Sequence, residues 1–173
     1  GFDNMNIDIM FGLPEQTIEQ GLEDLKQAIA LGPTHISWYQ LTLEPNTVFY
    51  KKPPKLPNHD AIADCHQLGQ ALLSDSGYKQ YEISAYARDN RQCQHNLNYW
   101  QYGDYLGIGA GAHGKITTED SNVIRSRKMK MPDSYLKRAS DDYRAAEQII
   151  LPEEQSFEYL LNRLRLNAPI ALS

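Results

Sequence analysis

The segment HNLNYW near the middle of the chain carries side chains suited to ligand binding. In the pattern HNxxYW it comprises His95, Asn96, Tyr99 and Trp100. An imidazole can ligate a metal; alternatively, His95 and Asn96 satisfy backbone groups of a loop while the aromatic rings pack beneath it. Cys93 also permits a Cys-x-His metal pair, but two ligands at that spacing are too few for a zinc site. Residue types alone leave these roles open.

Asp8 is the second candidate, because it places a carboxylate inside the apolar run NIDIMF, which ends in a Gly-Leu-Pro turn. An ionised carboxylate in a strand buried on both faces needs a partner, since unpaired burial of charge is costly. Asp8 is therefore either a structural residue bonded to backbone or to an arginine, or a ligand-binding group on the inside of a parallel barrel.

The run GIGAGAHG at residues 107–114 is the third candidate. Its glycines permit close backbone approach to a ligand, and its exposed amides could receive a carboxylate or phosphate. The run lacks the preceding strand and following amphipathic helix of a dinucleotide-binding fingerprint, which excludes that interpretation.

Regular elements must position these groups, and the first three form a strand–helix–strand unit. Residues 6–11 are predicted to be a strand. A capping box at Thr17 and Gln20 begins a helix over residues 18–29, and the aromatic and β-branched run at 35–41 is a second, parallel strand. The elements predicted beyond this unit are a proline-rich connection (44–57), a helix (62–73), a strand (78–87), an ordered loop (88–102) followed by a short strand or turn, and two helices (129–139 and 153–166).

Composition excludes several classes of protein. The 173 residues are 41% hydrophobic with a net charge of -5, which argues against a nucleic-acid partner because such proteins concentrate basic residues on one face. No apolar run approaches the roughly 20 residues of a membrane helix, and the first residues, GFDNMNIDIMFG, lack the basic region and cleavage site of a signal peptide, so a cytoplasmic protein is expected. Cys65 and Cys93 are expected to be reduced thiols.

Four segments, in this order and spacing, resemble the HemW and HemN proteins of the radical S-adenosylmethionine superfamily. They are xIDxxxGLPxQT at residues 6–17, YEISAYA at 81–87, CQHNLNYW at 93–100 and LGIGAGAHG at 106–114. The resemblance implies an α/β fold, the C-terminal part of an incomplete parallel barrel with a β extension that carries the HNxxYW loop, over residues 1–140. Residues 141–173 would begin a small helical C-terminal domain.

The HNxxYW element is similar to the motif that distinguishes heme chaperones from oxidases in this family. The resemblance therefore implies that His95 is the ligand of heme iron, with Asn96, Tyr99 and Trp100 beside the porphyrin. The function implied first is heme binding and delivery to hemoproteins. The alternative is the oxygen-independent coproporphyrinogen III oxidase, an oxidoreductase of porphyrin biosynthesis, and a weaker alternative is a protein interaction module.

The same resemblance implies S-adenosylmethionine and a 4Fe-4S cluster as cofactors. Ala112 or His113 would lie near the adenine, and Asp8 and Thr42 would contact a second S-adenosylmethionine molecule or the substrate. The family's CxxxCxxC cluster motif is absent here, and the two cysteines of this chain cannot replace three thiolates. The sequence, which starts at a glycine and enters a strand at once, is expected to be a fragment that is catalytically inactive alone.

Overall fold

The computed structural model describes residues 2–137 and 144–170. The chain divides into two compact units, Gly1–Cys93 and Gln94–Ser173. The domain boundary predicted at residue 141 lies outside the described residues and stays a prediction.

The first unit begins with the predicted strand–helix–strand unit. Strand β1 (Asn6–Phe11) is followed by helix α1 (Ile18–Ala30) and strand β2 (His35–Gln40). The capping box at the start of α1 is present, and β1 pairs with β2 in parallel, so this prediction is confirmed. The prediction that β1 is buried on both faces is wrong, because Asn6 and Asp8 are exposed while Phe11 is buried.

The second half of this unit differs from the prediction in two respects. The proline-rich connection contains a short helix, α2 (Val48–Lys51), and the predicted long helix follows as α3 (His59–Asp75). The single strand predicted at 78–87 is two antiparallel strands, β3 (Lys79–Glu82) and β4 (Ala85–Ala87). Glu82 accepts hydrogen bonds from the amide and hydroxyl of Ser84, which stabilises the turn between them.

The sheet of the first unit has the order β1-β2-β4-β3 and is covered on one face by α1 and α3. Trp38 of β2 lies at the centre of this core and is 1% exposed. A Cβ atom at Gly69 of α3 would overlap the indole ring, so only glycine permits this close approach of helix and strand. The core residues are Phe11, Leu25, Ile36, Trp38, Cys65, Leu73, Tyr78 and Tyr86.

The second unit begins with helix α4 (Gln94–Trp100), where the sequence predicts a loop; that prediction is wrong. Strands β5 (His113–Thr117) and β6 (Val123–Lys128) follow, then helix α5 (Pro132–Lys137), strand β7 (Arg144–Ile150) and helix α6 (Pro152–Arg163). The three strands form an antiparallel sheet in chain order. Helices α5 and α6 confirm the two predicted near the end of the chain, whereas β7 was not predicted. None of the helices in the described ranges has the length and apolar character of a membrane-spanning segment.

Candidate functional site

Helix α4 places His95 and Tyr99 one turn apart on the same face, as their spacing of four residues requires. The imidazole of His95 is exposed and meets the Tyr99 ring edge-on, with the ring centroids 4.6 Å apart. The ring of Tyr99 in turn packs against the ring of Tyr105, with the ring centroids 4.4 Å apart. The structure therefore brings an accessible imidazole against a pair of packed tyrosine rings.

A cleft of about 330 Å³ lies beside α4 in the second unit. Its walls combine aromatic surface with two cationic side chains and one amide, and ligand sites commonly have such apolar surface with a few placed polar groups. Two of the predicted heme-binding residues, Tyr99 and Trp100, line it, and Asn96 is half-buried on the same helix. The lining residues are Tyr99, Trp100, Gly103, Tyr105, Lys115, Arg125 and Asn162.

A sharp turn follows α4 and determines where Tyr105 lies. Tyr102 has a φ of 65°, in the left-handed region that non-glycine residues rarely adopt. A Cβ atom at Gly103 would overlap the side chain of Asn98, whose amide donates a 2.9 Å hydrogen bond to the carbonyl of Asp104. This strained turn persists because surrounding contacts hold it in place.

Lys115 of β5 provides the central contact of that turn. Its side chain is 2% exposed, and its ammonium lies 2.7 Å from Asp104 Oδ1. The same ammonium donates to the carbonyl of Tyr102 at 2.9 Å and to the hydroxyl of Thr117 at 3.2 Å. Although burial raises the pKa of Asp104, hydrogen bonds from Lys115 and Thr117 lower that pKa by more, so the carboxyl stays ionised. A buried ammonium with several partners is costly to disturb.

A second ion pair joins β6 to α6. Arg125 contacts Glu158 through Nε and Nη2, with the shorter distance 2.6 Å, and its Nη1 donates to the Tyr105 hydroxyl at 3.2 Å. Tyr102 donates to Glu158 at 3.1 Å. Burial and the adjacent Glu158 carboxylate together raise the pKa of Tyr102 to about 12, so its hydroxyl remains a donor. These hydrogen bonds connect the tyrosines beside the cleft to strand β6 and helix α6.

In the first unit, Asp8 lies on the sheet face opposite the core formed with α1 and α3. Its Oδ1 accepts a 2.8 Å hydrogen bond from Asn6 Nδ2, rather than from backbone or an arginine as one alternative predicted. Asn6 Oδ1 lies 2.6 Å from Nδ1 of the buried His35, and Nε2 of that histidine lies 2.7 Å from the Tyr81 hydroxyl. Because an amide oxygen only accepts, Nδ1 carries the proton and Tyr81 donates to Nε2.

This network is continuous from Asp8 to the end of the first unit. The Tyr81 oxygen accepts a 3.2 Å hydrogen bond from the amide of Cys93. Burial lowers the pKa of His35, against the opposing effect of the carboxylates of Asp8 and Glu82. A neutral imidazole is what the assigned hydrogen bonds require, so the network and the direction of the pKa agree.

Thr42 and His113, two other predicted cofactor-binding residues, are exposed, whereas Ala112 forms a backbone hydrogen bond. Thr42 is exposed, two residues after β2 ends. His113 begins β5 with an exposed side chain, and the carbonyl of Ala112 accepts a 2.8 Å hydrogen bond from the amide of Lys128. The amide of Gly111 also bonds to backbone, at Met129, so this part of the glycine run has fewer free amides than expected.

The cysteines do not form a metal site. Cys65 is buried in the core of the first unit, where burial raises the pKa of its thiol, and Cys93 is a free thiol. Within residues 2–137 and 144–170, there is no group of three or more His, Cys, Asp and Glu side chains that could hold a metal ion. The side chains described here therefore do not fit a 4Fe-4S cluster, which is held by several cysteine thiolates.

Sequence reasoning missed three residues that organise these sites: His35, Lys115 and Arg125. The local sequence gives one signal that Lys115 is buried: in the strand HGKIT, this lysine lies between a glycine and an isoleucine. Arg125 and His35 have partners 20 or more residues away in sequence, which no local pattern reveals.

No protein-family model matches this chain, although curated proteins resemble nearly all of it. Two curated proteins, both called heme chaperone HemW, are 51% identical (Haemophilus influenzae) and 48% identical (Escherichia coli) over 166 residues, or 96% of this chain. The chain spans 43% of the length of each. These matches confirm the family predicted from the four motifs.

Among solved structures, coproporphyrinogen III oxidase (HemN) from Escherichia coli, described as a radical SAM enzyme, matches with a TM-score of 0.78. The match covers 96% of this chain and 41% of that one, at 21% sequence identity. At this identity the match shows the fold alone, and it confirms the predicted α/β fold class of the radical SAM type.

Proposed function

Because the chain belongs to the family of the heme chaperone HemW, we propose that the protein binds heme and delivers it to hemoproteins. His95 is the axial ligand of the heme iron, and Tyr99 and Trp100 contact the porphyrin. Asn96, half-buried on the same helix, also lies beside the porphyrin. The chain covers less than half of its curated relatives, so the proposal concerns the full-length protein.

The observation that carries this proposal is the accessible imidazole of His95 on the same helix face as Tyr99. An imidazole is a common axial ligand of heme, and packed aromatic rings offer the flat apolar surface that a porphyrin face requires. Tyr99 is held by Tyr105 at 4.4 Å, so the surface is formed before the ligand arrives. Such preorganisation lowers the entropic cost of binding.

S-adenosylmethionine is proposed to bind on other residues of the chain. Asp8 is an exposed carboxylate whose position is fixed by Asn6 and His35, which suits hydrogen bonding to a ribose hydroxyl or an ammonium group. Thr42 and the backbone around Ala112 and His113 complete the proposed contacts. In the full-length protein, a reduced 4Fe-4S cluster would supply the electron that cleaves bound S-adenosylmethionine into methionine and a 5'-deoxyadenosyl radical; the cluster ligands are not among the cysteines here.

An absorbance titration of the full-length protein with ferric heme tests the proposal. Wild type is expected to give a histidine-ligated heme spectrum, and His95→Ala to lose it. His59→Ala is the matched control, because His59 is also an exposed histidine near a helix N-terminus and is expected to leave affinity and spectrum unchanged. Identical affinity and spectra for wild type and His95→Ala would overturn the ligand assignment.

Delivery is tested by mixing the heme-loaded protein with an apo-hemoprotein and following the acceptor's own spectrum. Transfer from wild type, and none from His95→Ala after the same heme exposure, is expected. Heme that stays bound to wild type indefinitely would contradict a delivery role. The oxidase function is not proposed, since the HNxxYW element resembles the chaperone motif.

A further inference from the structure

The sheet of the second unit presents a row of cations along the face that bears the cleft. Lys115 pairs directly opposite Arg125, and His113 pairs opposite Arg127. Residues two apart on a strand point to the same face, so Arg125 and Arg127 share it. Arg127 therefore lies on the cleft side of the sheet, roughly 7 Å along the strand from Arg125.

The cations of this row differ in how their charges are used. Lys115 is neutralised by Asp104 and Arg125 by Glu158, each within an ion pair. In contrast, the exposed guanidinium of Arg127 has no ion pair or hydrogen bond within the described ranges. His113, its direct neighbour on β5, is exposed as well. Among the described residues of this sheet face, Arg127 is thus a cation without an ion-pair partner, next to Arg125 of the cleft wall.

A second observation comes from the cleft wall. The indole Nε1 of Trp100 is shielded from solvent and has no hydrogen-bond acceptor among the residues that the structure describes. Tryptophan usually finds an acceptor for this donor when it is buried. A ligand oxygen that reached this nitrogen would accept its hydrogen bond, which an apolar group does not, so a ligand that carries oxygen is favoured over a purely apolar one.

We propose that Arg127 binds a carboxylate of the ligand that occupies this cleft, and that the ligand is a planar aromatic dicarboxylate. The inference rests on the proposed function, in which that ligand is heme. Heme carries two propionates on one edge of its ring, so an aromatic wall with a free cation at one end matches its distribution of apolar and anionic groups.

A contiguous set of contacts joins the two ends of the site. His95 contacts Tyr99, Tyr99 contacts Tyr105, and the Tyr105 hydroxyl accepts from Arg125, which is followed on the same sheet face by Arg127. Iron ligation at one end and carboxylate binding at the other would fix the ligand's orientation. A guanidinium suits this task because it can donate two parallel hydrogen bonds to a carboxylate.

The experiment compares ferric heme with its dimethyl ester, in which both propionates are neutral, in one detergent-containing buffer. Full-length wild type and Arg127→Gln are titrated with each. Lys26→Gln is the control, because it removes one positive charge from an exposed position on α1. Thermal denaturation of each variant verifies that the fold is retained.

Arg127→Gln is expected to weaken heme binding about fivefold, as loss of one exposed charge pair implies, and to leave ester binding unchanged. Lys26→Gln should match wild type with both ligands. Equal heme affinity in wild type and Arg127→Gln, with the His95-dependent spectrum intact, would overturn the carboxylate assignment and leave the proposed function standing. Equal weakening with heme and ester would also overturn it, and absence of any heme binding by wild type would overturn both proposals.

Discussion

Replacing Lys115 by methionine removes a buried charge while keeping a side chain of similar length. The ammonium lost in this variant is bonded to Asp104, to the Tyr102 carbonyl and to Thr117, and it lies 4.2 Å from the centre of the Tyr102 ring. Its removal leaves the Asp104 carboxylate without its cation. We therefore expect the second unit to lose stability and the turn after α4 to loosen.

The magnitude follows from how far each partner is buried. Removing one member of a fully buried ion pair costs about 3–5 kcal/mol. Here the lysine side chain is 2% exposed but that of Asp104 is 39% exposed, and Asp104 still accepts from the amide and hydroxyl of Thr117. Water can therefore reach the remaining carboxylate, and we expect a loss of about 2 kcal/mol, below the fully buried case.

Urea denaturation of wild type and Lys115→Met measures this loss, and hydrogen exchange locates it. The Thr117 amide, which donates to Asp104 Oδ2 at 2.8 Å, should exchange faster in the variant. Lys137→Met, an exposed lysine of α5 in the same unit, is the control and should stay within about 0.5 kcal/mol of wild type. Adding Asp104→Asn to Lys115→Met should cost less than it does in wild type, because the two residues interact.

The pH dependence of the pair has a defined sign. Because the pKa of Asp104 is lowered in the folded state, its contribution is present above the ordinary aspartate pKa and is lost as pH falls through the lowered value. Lys115→Met should reduce that acid-dependent loss. Stability equal to wild type at neutral pH, together with unchanged exchange at Thr117, would refute the role assigned to Lys115.

Three other perturbations test the packing and the titrating groups. Gly69→Ala should lower the free energy of unfolding by about 2 kcal/mol, since overlap with the Trp38 ring outweighs the gain in helix propensity; an unchanged melting temperature would contradict this. Because the pKa of Tyr102 is raised to about 12, stability should hold below its ordinary value and fall as pH rises towards 12. Tyr102→Phe should flatten that alkaline loss in denaturation series, and an identical pH profile would count against the hydrogen bond to Glu158. Burial lowers the pKa of His35, so the free energy of unfolding should fall as pH drops below the ordinary histidine pKa. His35→Gln should remove part of this pH dependence when unfolding is measured between neutral and mildly acidic pH. An unchanged pH dependence would argue against a neutral buried imidazole.

The first unit was predictable where the signals are local. The capping box at Thr17 and the helical periodicity that follows depend on residues within a few positions of one another, as does the end of α3. The β3–β4 turn was missed because YKQYEISAYA keeps its alternation through the turn. The hydrogen bonds from Ser84 to Glu82 stabilise the chain reversal, and the hydrophobic pattern of the sequence does not reveal them.

The candidate site was predictable only in part. The resemblance indicated His95 and the aromatic residues, but it gave no sign that they lie on a helix. Helix α4 has seven residues and no described capping hydrogen bond from its own sequence, so it depends on packing against α6 and on the turn beyond it. The ion pairs of Lys115 and Arg125 arise from register in the sheet, which sequence periodicity alone does not determine.

Chemical rescue by imidazole tests whether His95 ligates the heme iron. The visible spectrum of full-length His95→Gly is recorded with ferric heme before and after addition of imidazole. We expect the histidine-ligated spectrum of wild type to be lost in the variant and restored by imidazole. A variant that keeps the wild-type spectrum without imidazole would contradict the assignment of His95 as the ligand.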